Sequence, residues 1–172
     1  MVLETSGNPG LPVRVSARIL LVDDRDRILL FRYLDQDTDI PGGAWWGTPG
    51  GGVDEGESLP HAAARELFEE TGLRVEESAL GRVVAGGRGA ARFGGRDYWF
   101  VNHFYYLRVP AFALDDSGWE ELERGSIVEH RWWTVPQLAA IAEAVYPPGL
   151  PRILPDLIAG RTPAEPVDVG WL

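Results

Sequence analysis

Residues 51–73 read GGVDEGESLPHAAARELFEETGL, and they predict the element around which the chain is organised, a short helix entered through a glycine-rich turn. Ser58 is a suitable N-cap, and Pro60 falls in the first turn, where its missing N–H costs least. Gly72 can supply the left-handed residue that ends a helix. The stretch therefore predicts a helix of about three turns.

Glutamates dominate one side of this predicted helix. At about 100° per residue, Glu66, Glu69 and Glu70 share one sector, where like charges repel and a bare helix gains nothing. A divalent cation bound between these carboxylates would make their proximity favourable, because hard cations such as Mg²⁺ take oxygen ligands. Arg65 can hold Glu69 one turn away, and Glu57 lies just before the helix. The residues expected to face a core are Ala64, Leu67 and Phe68.

The same stretch fills every fixed position of the Nudix box, Gly-x5-Glu-x7-Arg-Glu-U-x-Glu-Glu-x-Gly-U, in which U is a bulky aliphatic residue. The matching residues are Gly51, Glu57, Arg65, Glu66, Leu67, Glu69, Glu70, Gly72 and Leu73. The chain thus resembles the Nudix hydrolase family. The resemblance implies an α/β fold, a Nudix-like α/β/α sandwich with a mixed β-sheet, in which the box forms a loop, a helix and a loop.

The resemblance also implies a metal-dependent hydrolase that cleaves the diphosphate linkage of a nucleoside di- or triphosphate or of a nucleoside diphosphate derivative. Its cofactor would be Mg²⁺, with Mn²⁺ as the alternative. By analogy Glu66, Glu69 and Glu70 are metal ligands or the general base, Glu57 and Gly51 complete the metal site, and Arg65 orients the carboxylates. We place Glu66 first as the base, because crowding by Glu69 and Glu70 can raise its pKa. The alternative bases are Glu120, Glu121, Glu123 and Glu129.

Substrate contacts are predicted on both sides of the box in sequence. Trp45, Trp46 or, after the box, Trp99 could stack on a nucleobase, although most tryptophans simply fill cores. Gly86 to Gly95 reads as a glycine-rich insertion with Arg88 and Arg92, and Arg96 follows it. Guanidinium groups pair well with phosphate, so these three arginines are candidate phosphate ligands; an exposed loop is the simpler interpretation.

Length, net charge and cysteine content limit the domain organisation and the classes of partner that this chain can have. At 172 residues the chain suits a single domain, with a core of about 13–145 and a Pro-rich extension at 146–172 expected to pack on the surface. The net charge of −10 argues against non-specific nucleic-acid or anionic-membrane binding and leaves a small-molecule nucleotide as the partner. Cysteine is absent, which excludes disulfides and thiolate sites. Without an export-like N-terminus the default location is cytoplasmic, and a homodimer stays an open alternative.

The rest of the chain predicts alternating strands and helices. Tyr33 to Ala44 is expected to be an exposed loop near the site. A helix is expected from about Val135 to Ala144, with Thr134 as its cap, and a shorter one near Ile153 to Ala159. The predicted strands are Val13 to Val22, Ile28 to Arg32, Gly81 to Ala85, Tyr98 to Val109 and Glu129 to Trp133.

Other functions remain alternatives to the hydrolase. A catalytically idle Nudix domain acting as a nucleotide-ligand sensor is disfavoured because no box carboxylate is missing. The isoprenoid diphosphate isomerase branch uses a cysteine that this chain lacks, and a structural interaction protein is the last alternative. The ADP-ribose branch would show a proline near Gly89 and the dinucleoside polyphosphate branch a tyrosine near Ala90, so both substrates become less favoured.

Overall fold

The computed structural model describes residues 8–34, 43–119 and 121–171, without the side chains at positions 121–123. Its strands are β1 (Val13–Asp23), β2 (Arg27–Leu34), β3 (Ala44–Gly47), β4 (Gly50–Gly52), β5 (Val83–Phe93), β6 (Arg96–Val109), β7 (Ile127–Thr134), β8 (Ala144–Tyr146) and β9 (Val167–Asp168). Its helices are α1 (Leu59–Thr71), α2 (Glu121–Ser126), α3 (Val135–Ala139) and α4 (Leu150–Ile158), with a 3₁₀ turn at Glu77–Leu80.

All nine strands of the described residues join one mixed sheet in the order β8-β3-β2-β1-β6-β5-β9, with β4 paired to β1 and β7 to β2. β1 is its centre, because it runs parallel to β6 along its whole length and antiparallel to β2 and β4. Parallel and antiparallel pairs therefore coexist, as the α/β prediction with a mixed sheet requires.

Two cores lie on the two faces of this sheet, because successive side chains of a strand point to opposite faces. Ile19 and Leu21 of β1 pack with α1 on one face. Leu20 and Val22 pack with α4 on the other. Helices thus cover both faces, which confirms the α/β/α sandwich.

The C-terminal extension is part of the second core, so the prediction that residues 146–172 pack on the surface is wrong. Leu150 and Leu154 of α4 are fully buried, and Val169 is 2% exposed. They cover apolar side chains of the central strands that would otherwise face water. The core therefore extends well beyond residue 145.

Three element boundaries also differ from the sequence prediction. Residues 86–95 are not a loop but most of β5 and the turn after it, since β5 pairs with β6 from Val83 to Phe93. α3 has the predicted Thr134 cap but ends at Ala139, because the chain continues into β8, which pairs with β3. Tyr33 and Ala44 lie in β2 and β3, and positions 35–42 of the predicted loop lie outside the described residues.

No helix of the described residues is long and apolar enough to cross a membrane.

The turn between β1 and β2 is held by one buried carboxylate. Asp23 is fully buried and accepts hydrogen bonds from the backbone N–H groups of Arg25 and Arg27 at 3.0 and 2.9 Å. The Arg27 guanidinium adds two more, at 2.8 and 2.6 Å. Burial raises the pKa of Asp23, but these hydrogen bonds lower it by more, so its pKa lies below the ordinary value.

Asp23→Asn should therefore lower the free energy of unfolding by about 2 kcal/mol at pH 7, because it removes the charge-assisted hydrogen bonds from Arg27. A depressed pKa stabilises the fold above the unfolded pKa of 3.8, and this contribution is lost as the pH falls through the folded pKa. Urea unfolding from pH 7 to pH 3 should show the difference from wild type shrinking below about pH 4. The exposed Asp116→Asn is the matched control, and an equal loss there would contradict the assignment.

Candidate active site

The start and end of α1 follow the sequence prediction. The Ser58 Oγ accepts a hydrogen bond from the His61 N–H at 3.2 Å, and Pro60 lies in the first turn. Gly72 has φ +74°, and its N–H donates to the Phe68 carbonyl at 2.8 Å. Residues after β6 complete this end, since the Trp119 indole donates to the Glu70 carbonyl at 2.8 Å. The helix is therefore fixed at both ends.

The buried side of α1 differs from the prediction. Ala62, Ala63 and Leu67 are fully buried, whereas Ala64 and Phe68 are only half-buried. The small alanines let the helix approach the sheet closely. Leu67 and the half-buried Ala64 pack in this core as predicted, whereas Phe68 lies outside it.

Glu70 joins α1 to β4. Its carboxylate accepts a hydrogen bond from the Gly50 N–H at 2.6 Å, and the residue is 3% exposed. Gly50 has φ +118°, and a Cβ there would lie 2.4 Å from the Ala17 carbonyl oxygen. Only glycine allows this approach, so the position of Glu70 depends on the backbone of β4.

Glu66 lies directly over the neighbouring residue of β4. A Cβ on Gly51 would fall 2.5 Å from a carboxylate oxygen of Glu66, and the Glu66 side chain is 13% exposed. Burial raises the pKa of Glu66, and the charge of Glu69 adds to this effect, while Arg65 opposes it. The raised pKa was predicted, but its main cause is burial and not crowding.

Arg65 binds three of the four glutamates. Its Nε and Nη2 donate to both oxygens of Glu57 at 2.9 Å, and Nη1 donates to Glu66 at 2.9 Å and to Glu69 at 3.0 Å. The last N–H reaches the Gly52 carbonyl at 2.9 Å. All five donors of the guanidinium are thus used. Arg65 lowers the pKa of Glu57 to about 2, chiefly through these hydrogen bonds, so Glu57 is a carboxylate at any working pH.

The charges of this cluster do not balance. When ionised, the four glutamates carry four negative charges against one on Arg65, and Arg18 is close enough only to lower the pKa of Glu66 slightly. Carboxylate and carbonyl oxygens are the ligands that Mg²⁺ and Mn²⁺ prefer. Gly51 has no side chain between its backbone and the Glu66 carboxylate, so both can offer oxygen atoms to such a cation. In the described residues no three acidic or histidine side chains already converge at metal distance, so Glu69 and Glu70 would have to turn toward it.

The alternative general bases lie elsewhere or cannot be placed. Glu129 on β7 is the register partner of Arg32 on β2, so it lies on the sheet face away from α1. Glu120 lies outside the described residues, and so do the side chains of Glu121 and Glu123. Of the placed candidates, Glu66 lies in the cluster together with Glu69 and Glu70, whereas Glu129 does not.

The two predicted tryptophans that precede the box point to opposite faces of β3. Trp46 is 3% exposed and donates its indole N–H to Glu143 at 2.7 Å, so it is a core residue and the prediction of substrate contact is wrong. Trp45 is half-buried, with its ring stacked on Tyr33 at 4.3 Å between centroids. It remains a candidate for contact with a substrate.

The three predicted arginines do not form a loop over the site. Arg88 and Arg92 lie on β5 and Arg96 on β6, and Arg92 pairs with Asp97 at 3.0 Å. β5 is separated from β4 by β6 and β1, which at about 4.8 Å per strand places it roughly 14 Å away. The glycines that suggested a mobile loop serve packing instead, since a Cβ on Gly89 would meet Trp171 at 2.0 Å.

Sequence reasoning missed Arg18, whose guanidinium donates to the Thr48 carbonyl at 3.0 Å just before β4. The sequence did contain a signal for Arg18, since a charged residue there interrupts the apolar run of β1. It missed Trp119 as well, for which the sequence offers no local signal.

Known proteins resemble this chain in sequence and fold. A NUDIX domain model matches residues 12–157. A relative named RNA pyrophosphohydrolase, from Novosphingobium aromaticivorans, is 45% identical over 67 residues, which are 39% of each chain. The first curated relatives with this name are matched over 39% to 65% of their length.

Two solved structures share the fold. The MutT protein from Methanosarcina mazei Go1 superposes with a TM-score of 0.63 at 18% identity, covering 89% of this chain and 98% of that one. A bifunctional NMN adenylyltransferase/ADP ribose pyrophosphatase from Francisella tularensis, complexed with AMP and a Mn ion, has a TM-score of 0.53 at 19% identity. The match covers 88% of this chain and 43% of that one.

Gly51→Ala should displace Glu66 without unfolding the protein. The three atoms nearest to the added Cβ all belong to the carboxyl end of the Glu66 side chain, which can shift, and Gly51 has no positive φ. Binding of Mn²⁺, measured by calorimetry, should weaken at least about tenfold while the melting temperature stays within a few degrees. Gly125→Ala, where a Cβ meets nothing within 4 Å, is the control. Unchanged Mn²⁺ binding would show that Glu66 does not need the space above Gly51.

Proposed function

Because the chain belongs to the NUDIX domain family, we propose that it is a metal-dependent hydrolase cleaving the diphosphate linkage of a nucleoside di- or triphosphate or of a nucleoside diphosphate derivative. The observation that carries the proposal is the half-buried carboxylate of Glu66 over Gly51, inside a cluster with excess negative charge. An anionic substrate cannot approach such a cluster unless a cation first neutralises it. The proposal therefore requires a metal.

Glu66, Glu69, Glu70 and Glu57, with the backbone of Gly51, would hold Mg²⁺ or Mn²⁺. The Mn ion in the Francisella tularensis relative supports the same class of cation. Such a metal neutralises diphosphate oxygens and lowers the pKa of a bound water. Phosphoryl substitution needs little beyond positioning and charge neutralisation, and metal-binding carboxylates are residues of the type that can supply both.

The side chains divide the work according to their environment. Arg65 forms hydrogen bonds with Glu57 and Glu69, which opposes the mutual repulsion of the carboxylates. Glu66 has one arginine contact and a raised pKa, which suits it to accept a proton from the attacking water. Glu70, bound to the Gly50 N–H, fixes the helix against β4.

An idle sensor is the weaker alternative. A sensor would tolerate loss of the box carboxylates, yet all four are present and three share Arg65. The cytoplasmic location and the homodimer remain predictions from the sequence alone.

The 5′ end of RNA is a second candidate substrate, because the first curated relatives are named RNA pyrophosphohydrolase. The net charge of −10 favours the small nucleotide, since a polyanionic chain would meet repulsion away from the site. Rates for nucleoside triphosphates and for a 5′-triphosphorylated oligonucleotide, at equal concentration and in roughly 50 mM and 200 mM salt, decide between them. We expect faster release of phosphate or pyrophosphate from the nucleotides; a higher rate on the oligonucleotide at both salt concentrations would favour RNA.

Glu66→Gln should lower kcat on the best nucleotide by about 10² or more, because it removes both a metal ligand and the candidate base. The fold should persist, since the new amide oxygen can still accept a hydrogen bond from Arg65. Glu165→Gln, which changes an exposed carboxylate by the same atoms, should leave kcat unchanged. Stopped assays of phosphate release with folding checked by circular dichroism would measure both, and a Glu66→Gln enzyme as fast as wild type would remove this residue from catalysis.

A further inference from the structure

One edge of the sheet is formed by β7, and four successive residues of this strand are exposed. β7 pairs with β2 on one side, and no other strand in the described part of the chain pairs with its other side. Residues 128–131 are all exposed, whereas Ile127 and Trp133 are buried. A strand edge that has no neighbour can pair with a strand of another chain through its backbone N–H and C=O groups. We call residues 128–131 the open edge.

Glu129 and Arg131 place two opposite charges on the open edge. They are two residues apart on one strand, so their side chains lie on the same face of the sheet. Among the described residues neither forms an ion pair. The Arg131 guanidinium lies over the Trp133 ring, 4.2 Å from its centroid, and Arg32, the register partner of Glu129, pairs with Glu143. Both charges can therefore attract a partner.

Charged residues on a strand edge usually keep two copies of a protein apart, because like charges then face each other. Whether they do so here depends on the register of the pairing. Two identical antiparallel strands that join their sheets keep each face continuous, so the two-fold axis passes through one residue, which faces its own copy. The identity of that central residue decides which charges meet.

A pairing centred on His130 brings opposite charges together. Glu129 of each copy then faces Arg131 of the other copy, and this favourable contact forms twice. A pairing centred on Glu129 would oppose two glutamates, and one centred on Arg131 would oppose two arginines, and both arrangements are destabilising. Among these three registers, charge therefore selects the one centred on His130.

The same register adds an apolar contact. Val128 has no register partner on β2 and is 48% exposed, the highest value among the large hydrophobic side chains of the described residues. In the pairing centred on His130 it faces Trp132 of the second copy, a residue that is half-buried. Leu34, which is 42% exposed, lies at the neighbouring end of β2. Exposed apolar surface thus lies beside the two charges.

We infer that the open edge binds a second copy of this chain, antiparallel and centred on His130. Charge complementarity in this register carries the inference, which goes beyond the proposed function and does not depend on it. The irregular pairing at Val128 keeps the new ladder short. The buried area is therefore at the low end for a specific interface, and we expect a dissociation constant on the order of 10–100 µM.

Charge reversal tests the register. Sedimentation equilibrium of the full chain from about 5 to 500 µM should show a reversible dimer for wild type. Glu129→Arg opposes arginines at both contacts and Arg131→Glu opposes glutamates, so each variant alone should dimerise at least about tenfold more weakly. An equimolar mixture of the two variants pairs arginine with glutamate at both contacts again. It should form a heterodimer with about the affinity of wild type.

A double variant and two controls complete the test. Glu129→Arg with Arg131→Glu in one chain exchanges the signs and restores both pairs, so this variant should dimerise by itself. Glu165→Arg and Arg25→Glu make the same changes of charge at exposed positions outside β7 and should dimerise as wild type does. Since every substituted residue is exposed, all melting temperatures should agree within a few degrees.

Four results would overturn the inference. The first is a wild-type chain that stays monomeric at the highest concentration, and the second is a dimer that neither single variant weakens. The third is a dimer that both variants weaken but that neither the mixture nor the double variant restores. The fourth is equal weakening by Glu165→Arg or Arg25→Glu, which would reduce the effect to overall charge. Because dimerisation is measured without substrate or metal, these results are separate from the test of hydrolysis.

Discussion

The structure of the site depends on one guanidinium. Four carboxylates gathered along one helix and the turn before it would repel each other, and Arg65 counters this by directing all five of its donors at Glu57, Glu66, Glu69 and the Gly52 carbonyl. The geometry is bidentate toward Glu57 only, and these hydrogen bonds strongly lower the pKa of Glu57. Burial raises the pKa of Glu66, and its single contact with Arg65 does not offset that effect. Arg65 and burial together thus hold neighbouring glutamates in different electrostatic states. A lysine, with three donors on a point charge, could not replace it.

Glycines then determine how closely the parts approach. Gly50 lets β4 lie against β1 and offers its N–H to Glu70, and Gly51 leaves the space that the Glu66 carboxylate occupies. On β5 the same residue type has another consequence, because Gly87 and Gly89 admit the C-terminal residues that close the second face of the sheet. Glycines therefore permit close contacts both at the candidate active site and in the packing of the C-terminal residues.

Local signals predicted much of this molecule. Ser58, Gly72 and the alternation along β1 act through hydrogen bonds and periodicity within a few residues, so the sequence alone indicates them. Contacts between distant segments were not predictable in that way. The glycines of β5 look like a loop until Trp171 is placed against them, and Trp46 looks like a ligand contact until its bond to Glu143 is known. The burial of one side of α4 in the proline-rich residues 146–172 was not predicted either, because it depends on contacts with distant strands.

The central claim is that a divalent cation held by the Glu66 cluster carries the reaction, and its most direct test compares binding with turnover. Mn²⁺ bound to the protein is titrated by electron paramagnetic resonance, and hydrolysis of the best nucleotide is measured over the same Mn²⁺ concentrations. If the cation carries the reaction, rate and occupancy rise together, Glu66→Gln shifts both curves to higher Mn²⁺ concentration, and excess chelator abolishes turnover. Full turnover in excess chelator, or a rate that saturates with the site still empty, would contradict it.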